Sequence, residues 1–180
     1  MKDAKPQAVF VFLPAGQQGI SFMKSFNERG LGEAGIKLIA TGDITDDHVL
    51  EAMGDPTLGM ITAFHYSAAH KSPENEAFLK AYNDANDSKV GAPNFMAAAG
   101  YDTMQVIYEV AKKLGGDIDG DKAMAAIKGM KWTSPRGSVS IDPETRDITQ
   151  TVYIRKVEKK NGKLANVEFD KIADVKDPGK

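Results

Sequence analysis

The sequence predicts an α/β protein, a parallel sheet flanked by helices. Two observations carry that expectation. Short apolar runs of strand length recur at Ala8–Leu13, Ile36–Ala40 and Leu58–Phe64. After each run comes a break, and then a segment whose apolar residues fall at helical spacing. Strand, tight turn and helix in succession form βαβ units.

The run Ala8–Leu13 is unbroken and rich in β-branched and aromatic residues. It is predicted to be buried on both faces, as central strands of parallel sheets are. Pro14-Ala15-Gly16 ends it, because proline has no N–H for a ladder and glycine permits unusual backbone angles. Ile20, Phe22, Met23 and Phe26 then mark a helix. The second strand, Ile36–Ala40, breaks at Thr41-Gly42-Asp43, and Thr45 and Asp46 are capping types ahead of Val49, Leu50 and Met53. Ligands of open α/β sheets bind beyond the carboxyl ends of the strands. The candidate ligand-binding residues are therefore Pro14, Ala15, Gly16, Gly42 and Asp43, joined by His65 and Tyr66 after the third strand. Asp43 reads as a ligand-facing acid or as ordinary loop chemistry, and His65-Tyr66 as a binding wall or a packed hinge.

Pro73–Asn86 is predicted helical, with proline in the first turn and Glu74 and Glu76 at the positive end of the helix dipole. Phe95–Leu114 is the longest helix, with Met104, Ile107, Tyr108 and Ala111 facing a core and Tyr101 also internal. A further helix runs from about Asp121 to Lys128. From Met130 the texture changes to strands and turns. Trp132 is expected beneath a loop, and Val139 and Ile141 alternate with serines. Val152, Ile154 and Val157 lie on a strand, and Asn161-Gly162 is a hairpin turn before Leu164–Ile172. The stretch Asp174–Lys180 is expected to fray.

Of the 180 residues, 42% are hydrophobic and 27% charged, and the formal net charge is −2. These values suit a globular protein and argue against a nucleic-acid footprint. The chain has no cysteine, which removes disulfides and thiolate chemistry. Met1–Pro6 lacks the apolar core of a signal peptide. No nucleophile elbow or HExxH spacing occurs, and Pro-Ala-Gly-Gln-Gln-Gly lacks the Lys-Ser/Thr ending of a phosphate-binding loop. Asp43, Asp46 and Asp47 lack the glycine and terminal glutamate of a calcium loop. The expectation is a non-enzyme with no catalytic residue, metal or cofactor.

Several segments together resemble a known family: AVFVFLPAGQQGISFMKSFNERGL, IKLIATGD, DPTLGMITAFHYS, SPENEAFLKAYNDAN, AAAGYDTMQVIYEVAKK and SPRGSVSIDPETRDITQTVYIRKV. In this order they resemble the C-terminal half of a type I periplasmic solute-binding protein of the Leu/Ile/Val type. The resemblance runs from about Gln7 to Ile154 and implies part of a two-lobed fold. Residues 1–62 would form part of lobe 2, residues 63–150 the C-terminal part of lobe 1, and residues 151–180 a return to lobe 2. Chain crossovers would fall at Thr62–Tyr66 and Asp147–Val152. It further implies binding of an amino acid, or an aromatic or other small carboxylate, between the lobes for an ABC importer. The implied partners are the transporter permease and an N-terminal half, or self-association in its place. The implied location of the full-length protein is the periplasm, or a membrane-anchored extracellular position. Asp43 would meet the ammonium of an amino-acid ligand. A ligand-sensing regulatory domain of the same fold is the alternative.

Overall fold

The computed structural model describes residues 3–87 and 90–179. Three strands, β1 (Ala8–Val11), β2 (Lys37–Thr41) and β3 (Ile61–Phe64), lie parallel, with Val11 beside Ala40 and Ala40 beside Thr62. Between them run α1 (Gln17–Glu28), the short α2 (Leu50–Met53) and a 3-10 turn at Asp55–Thr57. Then come α3 (Pro73–Ala85), α4 (Phe95–Lys113) and α5 (Gly120–Ile127). Ser72 and Asn94 accept the backbone N–H of Asn75 and Ala97, so each long helix starts at a side-chain cap. Asp119 caps α5 in the same way.

The strand-and-turn region is antiparallel. It consists of β4 (Lys131–Ser134), β5 (Gly137–Ile141), β6 (Ile148–Lys160) and β7 (Lys163–Val175). The sheet order is β1-β2-β3-β6-β5-β4, and β7 pairs with β6. The parallel expectation thus describes β1–β3, and β6 converts the sheet to a mixed one. β6 is a shared rail. Its Ile148–Gln150 pair with β5 and its Tyr153–Lys156 with β3, while β7 follows the opposite edge. The Asn161-Gly162 hairpin joins β6 to β7 as predicted.

Two apolar clusters form. One gathers Val11, Met23, Phe26, Leu38, Ala40, Ile44 and Leu50 beneath the parallel strands. The other joins Tyr66, Phe78 and Ala98.

The structure corrects three expectations. β1 is not buried on both faces: Phe10 and Phe12 are 67% and 73% exposed, because α1 covers one face of an edge strand and nothing among the described residues covers the other. Tyr101, Met104, Ile107 and Tyr108 on α4 are also exposed. α4 turns Ala98, Asp102 and Val110 inward instead. Val152, Ile154 and Val157 lie on a strand as expected, β6, whose buried face carries Tyr153, Arg155 and Val157. Finally, β7 continues to Val175, which pairs with Gln150, and Lys176 bonds Asp142 at 2.8 Å.

Candidate functional site

Parallel pairing brings the carboxyl ends of β1, β2 and β3 to one sheet edge. At that edge Pro14 is exposed, and Ala15 and Gly16 are half-buried where α1 begins. Gly16 has φ 117°, a left-handed conformation that suits glycine. Gly42 follows β2 and donates its N–H to Ala63 O at 3.0 Å. It is fully packed: a Cβ there would lie 2.2 Å from Phe64 Cβ and 2.3 Å from an Arg155 nitrogen. Asp43 comes next and is half-buried.

Beside Gly42 stands a wall of rings. Phe64 lies 4.5 Å from His65 and 5.1 Å from Phe95, and His65 and Phe95 meet edge to face at 5.8 Å. All three are half-buried, so the wall keeps an accessible side. The His65 pKa is lowered to about 4, first by burial and then by the Arg136 and Arg155 charges, with Asp43 and Asp102 opposing. Near neutral pH the imidazole is therefore uncharged, with one N–H to donate and one nitrogen to accept.

Tyr66 does not join this wall. It is 1% exposed, its hydroxyl bonds Asn75 Oδ1 at 3.2 Å, and its ring packs on Phe78. What it offers the site is its backbone carbonyl, which accepts from Arg155. Thr45 is not a helix cap either. Its buried hydroxyl donates to Asn166 of β7, and α2 starts only at Leu50. Asp46 accepts the His48 N–H, a local turn bond.

Behind the wall lies Arg155, 0% exposed. Its Nε and Nη2 donate to Thr62 Oγ1 at 3.2 and 3.1 Å, and Nη2 also to Gly42 O at 3.4 Å. Its guanidinium carbon sits 5.1 Å from the Phe64 ring centroid, within cation–π range. A second polar cluster ties α4 to the β4–β5 hairpin. Asp102 accepts from Arg136 Nε at 2.8 Å, Ser134 Oγ at 2.9 Å and Trp132 Nε1 at 3.1 Å. Trp132 is thus anchored by its indole N–H.

Sequence reasoning missed Phe64, Phe95 and Arg155 as parts of this arrangement. For Arg155 the period-2 register with Tyr153 and Val157 was the available signal. A hollow of about 790 Å³ lies elsewhere, between α3 and α4, against Tyr82, Tyr101, Met104 and Tyr108. It is an open groove on bare helix faces, away from the strand ends.

Glycine-led loops at a parallel sheet edge, a wall of rings and a rail strand shared by two sub-sheets define an α/β protein with a candidate site at its strand ends. The chain belongs to the periplasmic binding protein family, whose model matches residues 1–163. It is 44% identical over 183 residues to Leu/Ile/Val-binding protein homolog 6 of Brucella melitensis, covering 99% of this chain and 46% of that protein. It also superposes on a solute-binding protein of an ABC transporter from Rhodopseudomonas palustris BisB5, solved in complex with 3,4-dihydroxybenzoic acid. There the TM-score is 0.92 and the identity 57%, covering 99% of this chain and 48% of that one. A second R. palustris solute-binding protein, in complex with 4-hydroxybenzoate, gives 0.89 and 46%, covering 96% and 47%. The chain spans about half the length of these relatives.

Proposed function

We propose that this chain supplies the C-terminal half of the cleft of a periplasmic solute-binding protein, and that the solute is a hydroxylated aromatic acid delivered to the permease of an ABC importer. In this reading residues 1–62 and 151–180 belong to one lobe and residues 63–150 to the other, with the crossovers at Thr62–Tyr66 and within β6. The ligand lies between them, against Gly16, Asp43, Phe64 and His65, with Gly42 packed behind Phe64. Function is capture and release by lobe closure, with no bond made or broken.

The observation that carries the choice of ligand is the Phe64–His65–Phe95 wall. Aromatic faces suit a planar ring at offset or edge-to-face geometry. An uncharged His65 suits a phenolic hydroxyl, which needs a neutral partner able to donate or accept. The 57% identical relative solved with 3,4-dihydroxybenzoic acid supports the same choice.

Calorimetry on the receptor that carries this chain tests it. 3,4-Dihydroxybenzoate and 4-hydroxybenzoate bind at least about tenfold more tightly than leucine, a difference of ~1.4 kcal/mol. Tighter binding of leucine overturns the reading.

A further inference from the structure

Buried arginines are ordinarily matched by a carboxylate in contact, since an isolated buried charge is costly. Among the described residues no carboxylate lies within ion-pair distance of Arg155. Its fork is spent on oxygens from three separate segments. Thr62 is on β3, Gly42 follows β2, and Tyr66 begins the crossover toward α3.

The opposing charge comes from the segment between β2 and α2. Asp47 Oδ2 accepts the Ala68 N–H at 3.0 Å, and Oδ1 accepts from Ser67 Oγ at 3.3 Å and Asn166 Nδ2 at 3.0 Å. The Ala68 N–H and the Asn166 amide are donors to this carboxylate, and Ser67 Oγ shares its single proton between Asp47 Oδ1 and the Asn166 carbonyl at 3.2 Å. Burial pushes the Asp47 carboxyl up, and the Arg155 charge, Asn166, Ala68 and Ser67 oppose that shift. The crossover peptide is therefore gripped at both ends: Arg155 takes the Tyr66 carbonyl and Asp47 takes the Ala68 N–H.

We propose that Arg155 and Asp47 form a split ion pair whose two halves clamp the crossover at Tyr66 and Ala68, making Arg155 a positioning residue for the ligand wall. The ligand part of this inference rests on the cleft reading above. An apolar residue of similar volume would fill the same space. It would not hold the Gly42 loop, Phe64 and the crossover in one fixed relation. The clamp lies at the point where the chain leaves β3, so lobe closure pivots about a peptide of set orientation.

The test uses the receptor that carries this chain, with Asp47→Asn, Arg155→Met and the double variant. Three readouts are taken: thermal midpoint, exchange of the Ala68 amide by NMR, and affinity for 4-hydroxybenzoate. Each single variant strands one charge, so each lowers the midpoint. The double variant strands no charge, so its midpoint rises above that of either single variant. The Tyr66 end of the clamp is absent in the double variant, and the neutral amide at position 47 holds the Ala68 N–H less strongly than a carboxylate does. Ala68 exchange therefore stays at least about tenfold faster than wild type, and 4-hydroxybenzoate binding at least about tenfold weaker. A purely structural pair gives a different result: exchange and affinity recover together with the midpoint, and the proposal is overturned. If Arg155→Met alone does not fold, Asp47→Asn and the double variant decide. If wild-type receptor does not bind 4-hydroxybenzoate, the cleft reading fails, and the Ala68 amide alone decides the clamp.

Discussion

Gly42 and Phe64 are in van der Waals contact across neighbouring parallel strands, so close that a methyl group on Gly42 would overlap Phe64 Cβ at 2.2 Å. The backbone of one strand-end loop thus rests directly on a ring of the candidate wall, and Arg155 fills the remaining side. Gly42→Ala forces Phe64 or Arg155 to move. Overpacking of this kind costs about 1–3 kcal/mol. The expected outcome is a lower thermal midpoint together with weaker binding of hydroxybenzoates. A variant as stable and as tight as wild type would show that the wall shifts freely.

Asp43 tests the charge of the ligand. It stands after Gly42 beside His65, and its carboxylate would meet an ammonium group. Asp43→Ala in the receptor weakens any amine-bearing ligand by more than tenfold, on the order of 1.4 kcal/mol, as for a charge-assisted hydrogen bond. Benzoate, which has neither amine nor hydroxyl, stays within about threefold. Equal losses for both ligands in calorimetry would mean that Asp43 acts on the loop and not on the ligand.

His65 sets an acid limit on stability. Its folded pKa lies near 4 against an ordinary 6.5, under the joint influence of burial, Arg136 and Arg155, with Asp43 and Asp102 opposing. The unfolded chain takes up a proton at the higher value and the folded chain resists it. Its contribution is therefore fully present above pH 6.5, falls as the pH drops toward 4, and changes no further below. The linked change is at most on the order of 3 kcal/mol. His65→Gln flattens this limb of the melting curve between pH 6.5 and 4. An unchanged acid slope would assign the loss to other groups.

Asp102 and Arg136 are both nearly sealed from water, at 3% and 6% exposure. Removing the carboxylate strands the guanidinium, and Asp102→Ala is expected to cost about 3–5 kcal/mol. The same change frees the indole N–H of Trp132, the only tryptophan in the chain. Thermal denaturation and Trp132 emission report the two effects separately. A stable variant with a red-shifted emission would show that the ion pair matters less than the indole bond.

The bare apolar faces predict association. Phe10, Phe12 and Ile39 on one sheet face, and Tyr101, Met104, Ile107 and Tyr108 on α4, are 43% to 73% exposed. Contiguous apolar patches of this kind usually mark interfaces. Taken alone, these 180 residues self-associate at micromolar concentration, and Phe10→Lys with Phe12→Lys reduces that association. Light scattering that finds a folded monomer would show that these faces tolerate water.

What the sequence determined by itself was local. The apolar runs and their Pro, Gly and Asp breaks placed β1, β2 and β3 and put Gly16, Gly42 and Asp43 at one edge, because periodicity and turn chemistry act over a few residues. The Asn161-Gly162 turn was legible for the same reason. Burial was not. Phe10 and Tyr101 looked like core residues, and whether such side chains are covered depends on which elements meet them. Nor was the role of Arg155, which reads as one more charge on a strand flank. Only the tertiary structure places it within reach of Gly42, Thr62 and Tyr66, residues 89 to 113 positions away in the chain. A hydrogen-bonded cation is defined by the oxygens that surround it, and folding brings those oxygens together from segments whose local sequences carry no sign of one another.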